Sequence, residues 1–124
     1  MKIEILLMML FLHVADDFYL QGVFARLKQK EFWKENAPGE IYRNDYKVAL
    51  AIHGFSWACM VMLPLWYFGF ADGWFLLGMI AALAIPHSLI DNAKANLNRC
   101  NLVQDQLAHM FQILAVWALC CFSR

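Results

Sequence analysis

The chain has 124 residues, 62% of them hydrophobic and 16% charged, with 10 Lys and Arg balancing 10 Asp and Glu. Soluble domains run at about 45–50% apolar and about 25% charged, so an ordinary water-soluble fold is excluded, as is disorder, which requires low hydrophobicity. With no basic excess to neutralise phosphates, nucleic acid is excluded as a partner.

The length fits one compact domain. Four apolar stretches lie near the roughly 20 residues that a bilayer-spanning helix needs. They are expected at about 3–22, 46–68, 74–91 and 102–122. The first follows Lys2 and has a signal peptide as its rival reading. Cleavage after Ala15 would place His13 where a small residue is preferred, so the stretch is read as a span. A polar connection from Val23 to Asp45 follows, with a turn at Pro38-Gly39, and Asn44 or Asp45 as candidate cap of the second helix. A tight turn at Gly69–Gly73, flanked by Trp66, Tyr67 and Trp74, leads to the third span, and a short link from Asn92 to Asn101 leads to the fourth. The expected fold is an all-α, integral-membrane four-helix bundle filling residues 1–124.

Lys and Arg near the spans set orientation. Arg26, Lys28, Lys30, Lys34, Arg43, Lys47, Lys94 and Arg99 fall on one side, and only Lys2 and Arg124 on the other. The first and third connections are therefore expected in the cytoplasm and both termini on the non-cytoplasmic side.

Ionisable groups within a span are costly and mark functional sites. All four histidines fall in the spans, one in each, and three have an aspartate four residues away: His13 with Asp17, His87 with Asp91, and His109 with Asp105. Residues at i and i+4 share a helix face. At about 1.5 Å per residue, His53 and His109 lie roughly 10 Å from the cytoplasmic end, His87 about 6 Å inside Asp91, and His13 roughly 14 Å deep. Imidazoles and carboxylates in one dry layer suit a borderline divalent metal: zinc, manganese or iron. The expected ligands are His13, Asp17, His53, His87, Asp91, Asp105 and His109, enough for a two-metal site. Gln21 and Gln106 are candidates to hydrogen-bond those ligands, and Asp16 is a lesser substitute for Asp17. A hydrogen-bonded structural cluster is the rival for every one of these residues. Cys59, Cys100, Cys120 and Cys121 show no paired framework and read as apolar fillers. Neither a Gly-x-Ser-x-Gly elbow nor a phosphate-cradling Gly loop occurs, so no catalytic nucleophile is assigned.

At these residues the sequence resembles the bacterial and phage membrane family known as domain of unknown function 3307. The matching pieces are His13-Val-Ala-Asp-Asp17-Phe18-Tyr-Leu-Gln21, His53, His87-Ser-Leu-Ile-Asp91 with Lys94, and Asp105-Gln106-Leu-Ala-His109. The resemblance favours Asp17 over Asp16. It implies a multi-pass protein of the bacterial inner (cytoplasmic) membrane and no particular reaction. Three functions fit the residues: a metal-dependent hydrolase of a lipid-linked or phosphorylated substrate, a proton or metal-ion transporter, and an accessory protein with a buried polar cluster. The lipid bilayer is the expected partner. A homo-oligomer is the second, because four helices need copies around them to enclose a transport path.

Overall fold

The computed structural model describes residues 1–123 and is all-helical, with no strand among them. Helix α1 covers Lys2–Val14 and continues without a break into a π-helical segment, Ala15–Leu20. Two short helices, α2 (Phe24–Leu27) and α3 (Lys30–Asn36), and a 3-10 turn at Glu40–Tyr42 make up the connection to α4 (Asp45–Tyr67); α5 (Gly73–Ala95) and α6 (Leu102–Phe122) follow. Three helical segments, Glu40–Tyr67, Gly73–Ala95 and Leu102–Phe122, are long and apolar enough to cross a membrane. The expected first span differs: its α-helical part has 13 residues, about 20 Å at 1.5 Å per residue, before the backbone widens into the π segment. The polar connection also differs from an irregular loop, because Trp33 Nε1 donates to the Leu27 carbonyl at 2.7 Å and ties α3 back to α2.

Local signals explain the boundaries. Asn101 caps α6 in a reciprocal capping box: its side chain accepts from the Gln104 amide, and the Gln104 side chain accepts from the Asn101 amide. Asn44 occupies the corresponding position of α4 but makes no side-chain cap bond. Its φ of −111° and ψ of 4° lie outside the extended region from which a cap side chain reaches back. At the α4–α5 turn, Gly69 and Gly73 both adopt positive φ, 75° and 49°, a conformation that glycine takes without steric cost.

Helix α4 packs against α1 and α5, and α6 packs against α5 and α1. Each inward stripe follows the spacing of three to four residues that puts side chains on one helix face. Ile5, Met9 and His13 form the stripe of α1; His53, Trp57, Val61 and Leu65 that of α4; Leu83, His87 and Asp91 that of α5; Asp105, His109, Ile113, Val116 and Cys120 that of α6. The stripes are apolar toward the Gly69–Gly73 turn and polar toward the α2–α3 connection. The N-terminus lies at the apolar end, where Trp117 Nε1 donates to the Lys2 carbonyl at 2.8 Å.

The tightest seam is between α4 and α5. A Cβ added to Gly54 would meet Ser88 Oγ at 2.1 Å and the Ala84 carbonyl oxygen at 2.8 Å, and the latter is backbone that cannot yield by rotation. Gly54→Ala is expected to force the helices apart and destabilise the protein by about 1–3 kcal/mol, read as a lower midpoint in thermal melting followed by circular dichroism in detergent. An unchanged midpoint would contradict the close approach of α4 to α5.

Candidate metal centre

At the polar end of the stripes, His13, Asp16, Asp17, His53, His87, Asp91, Asp105 and His109 are all buried. Their helical origins explain the convergence. His87 and Asp91 lie one turn apart on α5, and Asp105 and His109 one turn apart on α6, so each pair shares a face; the intra-helix distances are 3.9 Å and 3.5 Å. His53 has no aspartate on its own helix and meets those of other helices: its Nε2 is 3.2 Å from Asp17 Oδ1 and 3.4 Å from Asp91 Oδ2. Asp16 and Asp17 are neighbours in sequence, yet both point inward. The π segment makes this possible, because its wider turn brings two adjacent residues closer to one face than an α-helix does; single-turn π segments recur at functional sites for this reason.

The three histidines of α4, α5 and α6 stand in a file. His87 Nε2 is 3.3 Å from His53 Nε2, and His87 Nδ1 is 3.2 Å from His109 Nδ1. Around this file are two groups whose donor atoms lie within 4.8 Å of one another, Asp17–His53–His87 and His87–Asp91–His109, and both can hold a metal ion. Asp91 faces both, with Oδ2 toward His53 and Oδ1 at 3.3 Å from His109 Nε2. Asp105 Oδ1 lies 3.5 Å from the same His109 nitrogen.

His13 is placed differently from the other three histidines. Its Nδ1 accepts from Trp57 Nε1 at 2.7 Å and its Nε2 meets Gln106 Oε1 at 3.1 Å, so both ring nitrogens already have protein partners. Like the expected ligand Asp105, it belongs to neither metal-capable group, and its Nδ1 lies 3.6 Å from Asp17 Oδ2. Gln106 bridges the cluster: besides His13, its Nε2 donates to Asp105 Oδ2 at 3.1 Å and to Asp17 Oδ2 at 3.4 Å. Gln21 reaches no ligand side chain. Its Nε2 donates to the Asp17 backbone carbonyl at 2.7 Å, one turn back.

Four contributors are not marked by His/Asp spacing. Lys28, 63 residues away from Asp91 in the chain, donates to its Oδ2 at 2.6 Å. Lys94 donates to Asp105 Oδ2 at 2.8 Å. Ser56 donates to Asp16 Oδ1 at 2.9 Å. Trp57 stacks on His87, with ring centroids 4.1 Å apart and planes inclined by 17°, and closes the cluster toward the apolar core. Trp57 follows His53 by four residues, a signal that it shares the histidine's face. For Lys28 no such signal exists, since it is one basic residue among several in its connection. Asp16, the lesser candidate by sequence, is as buried as Asp17, and its Oδ2 lies 3.7 Å from His53 Nδ1.

Asp16 Oδ2, Asp17 Oδ1, Asp105 Oδ1 and His109 Nε2 are buried with no hydrogen-bond partner. Buried polar atoms are ordinarily satisfied, and each orphan costs about 1–3 kcal/mol.

The family described as protein of unknown function (DUF3307) matches residues 5–123. The chain belongs to this family. Comparison with curated proteins and with solved structures found no match. The matched range takes in the π segment, both lysines and every His and Asp of the cluster, so the whole constellation lies inside the family domain.

The lysines supply a ranked prediction. Lys28 is 14% exposed and its partner Asp91 4%; Lys94 is 37% exposed. Lys28→Met leaves a buried carboxylate uncompensated and is expected to destabilise by about 3–5 kcal/mol. Lys94→Met is expected to cost less, because water reaches that pair. Denaturation in a common detergent checks the order, and Asp91→Asn added to Lys28→Met should recover part of the loss. Equal losses for the two single variants would contradict the ranking.

Proposed function

We propose that the protein is a multi-pass membrane protein, a four-helix bundle in which residues 2–20 cross beside α4, α5 and α6, and that its His/Asp cluster holds one divalent metal ion for hydrolysis of a phosphorylated or lipid-linked substrate. In this reading the α2–α3 connection and the α5–α6 link face the cytoplasm of a bacterial inner membrane, since they carry the basic residues, and both termini lie opposite.

The observation that carries the proposal is a shortage of positive partners. Four buried aspartates, Asp16, Asp17, Asp91 and Asp105, face two lysine ammoniums, and Asp17 Oδ1 and Asp105 Oδ1 meet only imidazole nitrogens, at 3.2 Å and 3.5 Å. With neutral imidazoles the cluster holds two uncompensated negative charges, and a dry interior penalises these heavily. One divalent cation restores neutrality. That balance favours a single ion over the pair that the number of candidate ligands suggests. Nitrogen and oxygen donors without thiolate suit zinc, manganese or iron.

Such an ion, when bound, lowers the pKa of a coordinated water toward neutrality and polarises a phosphoryl oxygen. The chain's own residues supply the remaining parts. Lys28 and Lys94 stand at the polar mouth of the cluster; Lys28 stays on the buried Asp91, and the partly exposed Lys94 ammonium has donor capacity left for an anionic group beside Asp105. Asp16 belongs to neither metal-capable group, and its free Oδ2 is available to accept a proton as general base. Trp57 and the apolar stripes behind it exclude water from the other side.

A proton or metal-ion relay is the second reading, favoured by the continuous His53–His87–His109 file, since intramembrane histidine and carboxylate chains serve as relays. On the apolar side His109 Nδ1 meets Gln112 Oε1 at 3.4 Å, and past it Met9, Val61, Ile113 and Val116 offer no group to continue the file.

The test is metal analysis by mass spectrometry on protein purified in detergent without chelator or polyhistidine tag. About one equivalent of zinc, manganese or iron is expected in the wild type, and little in His87→Ala and His109→Ala, His87 belonging to both groups and His109 to one. Asp16→Asn should keep the metal and lose phosphoester hydrolysis. A folded, metal-free wild type would overturn the metal centre. Retained metal with proton flux in liposomes and no hydrolysis would instead favour the relay.

A further inference from the structure

A second feature lies on the α2–α3 connection, outside the metal centre. A recess of about 480 Å³ opens between α3 and the 3-10 turn, with Lys30, Lys34 and Arg43 around it, Trp33 and Tyr42 as its aromatic walls, and Glu40 as its acid. The Trp33 and Tyr42 rings stack with planes inclined by 16°, and the Trp33 indole is fixed by its hydrogen bond to the Leu27 carbonyl. Trp33 also lines a second recess, a groove of about 250 Å³ formed by Phe24, Leu27, Val48, Ala49 and Ile52, with Asp45 at its rim. One indole therefore joins a cationic basin to an apolar groove along the first turns of α4.

The charges of the basin are available. Arg43 meets Glu40 at 3.5 Å, and Lys34 meets Glu31 at 2.8 Å, in exposed pairs three residues apart. Such pairs contribute little and exchange readily. The Lys30 ammonium makes no ion pair among the described residues, and its backbone amide is engaged with Asn96 Oδ1, which fixes where the side chain begins. The groove starts on α4, one of the segments apolar enough to cross a membrane, and Val48 and Ile52 are exposed along it. A headgroup at the basin thus has its acyl chain directed along the outside of the helix into the hydrocarbon.

We infer that this paired recess is a binding site for an anionic phospholipid, with the phosphate among Lys30, Lys34 and Arg43, the glycerol region against Trp33, and an acyl chain over Val48 and Ile52. The occupant follows from complementarity. Lysine and arginine bind phosphate through charge-assisted hydrogen bonds, indole rings favour the interfacial level, and basic residues beside a membrane contribute about 1 kcal/mol each toward anionic lipid. The site rests on the membrane reading and is independent of the metal reading.

The experiment is native mass spectrometry of the full chain, released from detergent, with phosphatidylglycerol, phosphatidylcholine of the same acyl chains, and glycerol 3-phosphate as probes. The wild type is expected to bind phosphatidylglycerol about a hundredfold more tightly than phosphatidylcholine. Lys30→Gln/Lys34→Gln/Arg43→Gln should abolish that preference, whereas Val48→Trp, which fills the groove from its exposed side, should weaken both lipids. Equal binding of the two lipids by the wild type, or an undiminished preference in the triple variant, overturns the site. Glycerol 3-phosphate binding as tightly as phosphatidylglycerol overturns the lipid as occupant. Metal content of the same samples is the control: the variants should retain the wild-type amount, so a failed lipid result and a failed metal centre are read separately.

Discussion

Four carboxylates buried together set the terms for the rest of the molecule. In a low-dielectric interior, each unpaired charge demands a partner within a few ångströms, and the chain has to deliver those partners from distant places. Lys28 answers this demand from the first connection and Lys94 from the end of α5. The connection consequently folds back over the polar end: Asn96 donates to the Lys28 carbonyl at 3.0 Å and accepts from the Lys30 amide at 2.6 Å. What the sequence displays as a hydrophilic link is a lid held by the charges beneath it.

The opposite half of the interior has the contrary character, and one side chain marks the change. Trp57 stacks its ring on His87 and gives its only donor to His13, while the residues one and two turns further along α4, Val61 and Leu65, are fully buried among apolar neighbours. Indole suits the boundary because it has a large apolar face and a single polar atom. The stack and the hydrogen bond together orient two of the four imidazoles without a charged group. His13 serves this boundary and the Gln106 bridge, beside Asp17 at 3.6 Å but a member of neither metal-capable group.

Much of this was legible in the sequence wherever the information was local. His87 with Asp91, and Asp105 with His109, are brought to one face by helical spacing alone, and their burial follows from the apolar context on both sides. The turn at Gly69–Gly73 is equally plain, since two glycines with positive φ end and begin helices there. Relations between distant segments left no such trace. Nothing distinguishes Lys28 from Lys30 until the connection folds, and His53, without an acid on its own helix, finds its carboxylates only through packing. Asp16 is hidden from the sequence for a different reason: α-helical periodicity assigns one inward position to an Asp-Asp doublet, and the chain departs from that periodicity at this point. The same departure shortens the first apolar stretch as an α-helix, although its composition resembles that of the other three.

The π segment also fixes the phase of everything before it. A π turn is an α-helix carrying one additional residue, so the inward stripe of Ile5, Met9 and His13 is registered against α4 and α6 through that residue. Straightening Ala15–Leu20 into regular α geometry with every residue kept would rotate the preceding helix by about 100°, one residue's share of a 3.6-residue turn. His13 would then leave Trp57 and Gln106, and either Asp16 or Asp17 would turn outward. The irregular turn therefore acts as a phase adjuster between two halves of one helix. It allows an apolar half timed to the core and an acidic half timed to the cluster to coexist on a single stretch of chain.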